Sequence, residues 1–167
     1  MDRERRIIMS LETAKEHLKK YKMDNRIMIF DSSSATVKEA AEAIHCEEKE
    51  IAKTMSFLVD DQPIVIVLAG DVKIDNAKYK QEFHKKAKMV PSTDLEEIIG
   101  HEMGGVGPFG LKENVKVYLD ESIKRFQYVY PACGSHNSAI KVTIKELEEI
   151  TNYEKWVDVA KQIEETL

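Results

Sequence analysis

The chain predicts a mixed α/β domain, and three observations carry that prediction. Segments with apolar residues at helical spacing alternate with short apolar runs of strand length. Two of those runs, Thr54 to Val59 and Pro63 to Ala69, are separated only by Asp60-Asp61-Gln62, the signature of a hairpin. Five of the seven glycines crowd into the eleven residues from Gly100 to Gly110, between a helical and a strand pattern.

Composition bounds what such a domain does. A chain of 167 residues predicts one domain over 1–167 with one sizeable core. With 43% apolar residues and 33% charged, it reads as ordinary globular protein rather than disorder. The formal net charge of −5 argues against general, charge-driven binding of DNA, while leaving room for a local basic face. No apolar run approaches the roughly 18–20 residues of a membrane span. The mixed charges of Met1-Asp2-Arg3-Glu4-Arg5-Arg6 precede no apolar signal region. Cys46 and Cys133 lie far apart and imply no framework of bridges, so a reduced cytoplasmic setting is expected.

Taken in order, Ser10 is placed to cap a first helix with Leu11, Ala14, Leu18 and Tyr21 at helical spacing. Arg26 to Phe30 predicts a strand. Thr36-Val37-Lys38-Glu39 has capping-box form, and Val37, Ala40, Ala41 and Ile44 give the helix behind it one apolar face. Ile64 to Leu68 is nearly all apolar, which predicts a central strand covered on both faces. From Asp75 the pattern turns helical, with Tyr79, Phe83 and Ala87 at i, i+4 and i+8 among lysines. Pro91-Ser92-Thr93 opens a short helix leading to the glycines. Strands follow over Val115 to Leu119, Tyr128 to Ala132 and Ser138 to Thr143. Lys145 to Ile150 predicts a helix, and Trp156 to Ile163 an amphipathic one closing the chain.

The glycine stretch has two readings. One is a tight connection with Gly100 ending a helix. The other is a loop whose amides hold an anionic or carbonyl oxygen. Gly105 to Gly110 also spells G-x-G-x-x-G, but a dinucleotide fingerprint follows a strand and opens a helix, the reverse of the order here. A P-loop is excluded because Leu111 stands where its lysine belongs. Lys53, just before an apolar strand, is a candidate for polarising a carbonyl or meeting a phosphate; a solvated lysine is the plainer alternative. Cys133-x-x-His136 with His101 offers a weak metal set without a carboxylate. Cys133 beside His136 is a candidate nucleophile. His17 and His84 lie on lysine-rich helix faces and are expected to be solvated. The lysines from Lys73 to Lys88 form the one basic stretch, suited to a solvated face or to an RNA end.

Four strings in this order and spacing carry a resemblance. They are Ile51-Ala52-Lys53-Thr54-Met55, Ala69-Gly70-Asp71, Gly104-Gly105-Val106-Gly107-Pro108-Phe109-Gly110 and Gly134-Ser135-His136-Asn137-Ser138-Ala139. Together they resemble the YbaK/prolyl-tRNA-synthetase-associated domain family of stand-alone aminoacyl-tRNA editing proteins, from about Ser34 to Ile150. The resemblance implies a mixed, mainly antiparallel, barrel-like sheet flanked by helices. It implies a pocket for the aminoacylated 3′ acceptor end of tRNA, with an aminoacyl-tRNA synthetase as a further partner. It also implies hydrolysis of the ester of a mischarged tRNA without metal or other cofactor. Lys53 matches the family's functional lysine, Gly104 to Pro108 its G-G-x-S-P loop, and Gly134 a glycine near the pocket. Catalysis is thereby expected at Lys53, Gly105, Val106 and Gly107, and substrate binding at Gly104, Pro108, Cys133, Gly134, Ser135 and His136.

Two positions depart from the family pattern. Gly107 stands where relatives commonly carry Ser, and Ala132-Cys133 where some carry Ser-Gly. The expected chemistry positions water and stabilises an oxyanion at an already activated ester, using the amides of Gly105 to Gly107. A binding module that keeps the pocket without the chemistry is the alternative from another class, and a Cys133 hydrolase is a third.

Overall fold

The computed structural model describes residues 3–163, with side chains from Ser10 onward. Helix α1 (Arg3–Lys19) begins well before Ser10, so Ser10 is a buried residue inside the helix rather than its cap. The preceding Arg-Glu-Arg-Arg run is made of good helix formers and extends it. Leu11, Ala14 and Leu18 join the core as their spacing predicts; Tyr21 lies past the helix end. A 3-10 turn (Asp24–Arg26) leads to strand β1 (Met28–Ile29), shorter than the predicted run. Helix α2 (Val37–Ile44) starts where expected, with Thr36 Oγ1 accepting the Glu39 N–H at 3.1 Å. The expected capping box is half made, because the Glu39 carboxylate accepts the Thr36 hydroxyl at 3.1 Å instead of the Thr36 N–H. The helix stops at His45 in left-handed conformation.

Strand β2 (Ile51–Val59) turns through Asp60-Asp61 into β3 (Gln62–Ala69). The turn is two residues long, not three, because Asp60 takes a positive φ of 54° and frees Gln62 to pair with Val59. Pro63 faces Leu58, and its missing N–H is harmless because that pair is not hydrogen-bonded in this register. From Pro63 onward β3 is buried throughout, as a central strand should be. Strand β4 (Val72–Ile74) and helix α3 (Asn76–Phe83) follow. Asp75 caps α3, and His84, at φ 63°, ends it before Ala87. The short helix α4 (Leu95–Ile98) delivers the glycine loop. Strands β5 (Lys116–Asp120), β6 (Tyr128–Pro131), β7 (Ser138–Ala139) and β8 (Val142–Thr143) precede helix α5 (Ile144–Thr151). The predicted strand over Ser138 to Thr143 is thus two short ones.

The expected closing helix is absent from the described residues. Its place is taken by β9 (Lys155–Val157) and β10 (Ala160–Gln162). Asn152, in left-handed conformation, ends α5, and the edges of β5 and β4 then capture the segment. Available sheet edges outweigh a helical period over eight residues.

The main sheet runs β8-β6-β2-β3-β5-β9 and curls into a half-barrel flanked by helices. The β2–β3 hairpin at its centre is antiparallel, as are β6–β8 and the small β1–β7 and β4–β10 pairs. β2–β6, β3–β5 and β5–β9 are parallel, so the sheet is mixed as predicted. Helix α3 lies over one face, where Tyr79 packs 5.1 Å from Phe57 and Phe83 lies edge-on to Tyr118 at 5.1 Å. Alternation puts Lys53, Met55 and Phe57 on that face, and Thr54 and Ser56 on the other.

Candidate active site

Opposite β3, strand β2 has two partners that never meet. At its start, Ile51 and Ala52 pair with β6. Towards its end, the segment after α3 crosses it at Phe57–Met89: Val90 donates its N–H to Ser56 O at 3.1 Å, and Leu58 donates to Lys88 O at 2.9 Å. Between these crossings no strand covers Lys53 to Met55 among the described residues. A cavity of about 500 Å³ opens there, walled by Val37 and Ala40 of α2, by Met89 to Ser92, and by Val106 and Ala132. That is the size and largely apolar character of a small-molecule site.

Lys53 stands on its wall. Its ammonium donates to the Val72 carbonyl where β4 begins. Burial pulls its pKa below the usual lysine value, while the Asp71 carboxylate pulls it back up. Asp71 itself is gripped by Arg125, whose Nη1 donates to it at 3.0 Å and which holds the carboxyl below its ordinary range. Lys53 is therefore a half-buried, incompletely solvated cation.

The glycine loop meets the cavity through Met103, Gly104 and Val106 only. Its other polar groups turn inward. Gly105 donates its N–H to Glu102 O at 3.1 Å, and Gly107 donates to His101 Nδ1 at 3.2 Å. Gly110 donates to His17 Nδ1 at 3.0 Å, and His17 Nε2, which must carry the ring proton, donates to Ile150 O. The expectation that Gly105 and Gly107 offer free amides to a substrate is corrected by these bonds, and so is a merely solvated His17. The glycines serve close packing: a Cβ on Gly105 would meet Ser135 backbone at 2.5 Å, and one on Gly107 would meet Ala132 O at 1.9 Å. The two departures from the family pattern, Gly107 and Ala132-Cys133, are thus one contact.

The remaining expected residues stand behind the wall. Pro108, Cys133, Gly134 and Ser135 are buried, and with His136 they do not line the cavity. Cys133 is fully buried and its thiol pKa is pushed far up by burial, which removes it as a nucleophile. Ser135 Oγ lies 2.7 Å from Ser138 Oγ. His136 donates its main-chain N–H to Glu102 Oε1 at 2.9 Å, with its Nδ1 2.8 Å from the same oxygen. Among the described residues no group of three His, Cys, Asp or Glu side chains is placed to hold a metal, so the His101-Cys133-His136 set does not form.

Sequence reasoning missed the roles of His101 and Glu102. Both are buried, and they tie the glycine loop to itself and to the turn at His136. Burial takes the His101 pKa from 6.5 down to about 4, so its ring is neutral and free to accept the Gly107 amide. A His-Glu pair embedded among glycines was the available signal.

A family model described as the aminoacyl-tRNA editing domain matches residues 31–150. The uncharacterized protein YwhH of Bacillus subtilis (strain 168) is 50% identical over 93% of this chain and 100% of its own length. A proline--tRNA ligase of Streptococcus suis (strain 05ZYH33) is 28% identical over 60% of this chain, which corresponds to only 16% of the ligase. In fold, the chain is similar to the crystal structure of a proposed trans-editing enzyme for prolyl tRNA synthetase. The TM-score is 0.82 at 24% identity, covering 91% of this chain and 97% of that one.

Proposed function

The chain belongs to the aminoacyl-tRNA editing domain family, and we propose that it hydrolyses the ester of a mischarged aminoacyl-tRNA. Water adds to the acyl carbon, the bond from that carbon to the ribose oxygen breaks, and the ribose oxygen takes a proton. The products are free amino acid and tRNA with its 3′ end restored. The observation that carries this reading is a half-buried lysine on the wall of a cavity sized for an aminoacylated nucleoside. With one N–H engaged by Val72, the ammonium keeps protons for the departing ribose oxygen or the terminal phosphate. Incomplete solvation makes that charge count for more than it would in water. Val37, Ala40 and Val90 supply an apolar wall that sorts side chains by size, which yields only a modest factor per methylene.

The tRNA itself would be met outside the cavity. Lys78 pairs with Asp158 and Lys85 with Asp60, whereas Lys86 and Lys88 make no ion pair among the described residues. These two lysines directly precede Met89 on the cavity rim. An activity on charged tRNA places the protein beside the synthetases in the cytoplasm. Likeness to part of a proline--tRNA ligase puts that ligase's tRNA first among candidates.

One observation favours a binding module instead: the amides of Gly105 and Gly107 are already consumed. A panel of correctly and incorrectly charged tRNAs separates the readings, with Lys53→Met measured alongside. Release of amino acid from a mischarged species, reduced at least about 100-fold in Lys53→Met with an unchanged melting temperature, is expected. Binding without release from any species would establish the module.

A further inference from the structure

The gap in β2 has a specific chemistry. Ser56 and Leu58 make their main-chain bonds to the segment Lys88–Val90. By the alternation of an antiparallel ladder, Thr54 turns its N–H and C=O to that same edge, while Lys53 and Met55 bond to β3. β6 stops pairing at Ala52, and the crossing segment takes over at Ser56, so both polar groups of Thr54 face the cavity unpaired among the described residues. Thr54 is half-buried, and a main-chain donor and acceptor left open side by side on a cavity wall are placed to take a ligand.

The geometry points to Thr54 as a one-residue strand edge that docks the aminoacyl group itself. An α-amino ester presents an ammonium and a carbonyl on either side of one carbon, as a residue does in a strand. It fits across Thr54 as the facing member of a hydrogen-bonded antiparallel pair, with its α-carbon about 5.5 Å from that of Thr54. Its ammonium donates to Thr54 C=O, and its carbonyl oxygen accepts from Thr54 N–H. As water adds to the acyl carbon, charge builds on that oxygen, and the fixed N–H becomes an oxyanion donor in the role that the engaged amides of Gly105 and Gly107 do not fill. Main-chain recognition is blind to the side chain, which leaves discrimination to the apolar wall. It requires an N–H donor on the α-carbon, so the desamino (propionyl) ester of the same tRNA is a poor substrate.

This inference rests on the proposed hydrolase reading, and two measurements keep the two apart. Amide exchange resolved by residue is measured with and without 3′-(alanylamino)-3′-deoxyadenosine, a stable amide analogue. In the free protein the amides of Lys53 and Met55 are protected and that of Thr54 exchanges at least about 100-fold faster; the analogue slows Thr54, and its desamino (propionyl) derivative, which lacks the N–H donor, slows it less. Thr54 as protected as its neighbours without ligand, or still unprotected with the analogue bound in the cavity, overturns the docking. The second measurement compares Thr54→Pro, which removes an edge-facing N–H along with the threonine side chain, and Thr54→Val as the control for that side chain, with Met55→Pro, which removes a ladder bond and unfolds the sheet. Thr54→Pro stays folded and loses about 100- to 1,000-fold in kcat with KM for tRNA little changed. A wild-type kcat in folded Thr54→Pro removes the docking and leaves the hydrolysis. Protection of Thr54 in a protein that releases no amino acid removes the hydrolysis and leaves the docking.

Discussion

The glycine loop and the open edge of β2 border the same cavity and treat their main-chain polar groups in opposite ways. In the loop the amides of Gly105, Gly107 and Gly110 all donate inward, to Glu102, His101 and His17. On the edge, Thr54 keeps its N–H and C=O for the cavity, while the strand around it is fully laddered to β3. Glycine density therefore marks close approach of backbone to backbone, and the reactive surface lies where a regular strand lacks a neighbour. One region is a sealed clamp and the other an unfilled seat.

The sharpest way to break this contrast is to place at position 107 the serine that the resemblance led one to expect there. If the loop were an open cradle, Gly107→Ser would be harmless or would gain a contact. In the sealed clamp its Cβ has no room, because Ala132 O already stands 1.9 Å from that position, and backbone cannot swing aside as a side chain can. Gly107→Ser is expected to cost roughly 3 kcal/mol or more by overpacking, read as a drop in urea midpoint at constant slope. A variant as stable as wild type would show that the loop and Ala132 are not in contact.

Acid tests the same seal from its polar side. The folded-state pKa of His101, about 4, lies below its ordinary 6.5 because burial opposes the charged ring. A depressed pKa means that the unfolded chain binds the extra proton more readily. The stability it contributes is complete above pH 6.5 and is lost as pH falls towards 4, by up to about 3 kcal/mol. Protonation also turns Nδ1 from an acceptor into a donor and breaks its bond to Gly107. His101→Asn keeps an acceptor for that amide but cannot titrate. Urea unfolding at pH 7 and pH 4 should show the wild type losing about 2–3 kcal/mol more than the variant. Equal losses would mean that the ring is not sealed.

The sequence made the two regions unequally legible. The hairpin, the capping of α2 at Thr36 and the buried β3 follow from local pattern, and each is where its residues indicate. Lys53 was found because a charge beside an apolar strand stands out, and it does border the cavity. The inward turn of the glycine amides was not legible, since it depends on His101 being fully buried and on His17, 93 residues before Gly110, accepting that glycine's N–H. The strands over Lys155–Val157 and Ala160–Gln162 were missed for a like reason: their partners, β5 and β4, lie more than thirty residues away. Thr54 left no signal at all. A main-chain group has no letter in the sequence, and its openness is a property of the neighbours that stop short of it.

The smallest expected effect concerns what lies outside both regions. If the cavity edge does the chemistry, the rim only has to bring the RNA to it. Lys86 and Lys88 precede the cavity-lining Met89, which is 57% exposed, so phosphates of the acceptor end would pass them before the terminal nucleoside enters. The double variant Lys86→Ala/Lys88→Ala should weaken tRNA binding several-fold and lower the slope of log affinity against log salt by about 1–2. Its turnover of a short aminoacyl-adenosine ester, which carries no phosphates, should match wild type. An unchanged salt slope would move the RNA path to another face. A loss of turnover on the short ester would join the lysines to the seat itself and erase the division of labour between rim and edge.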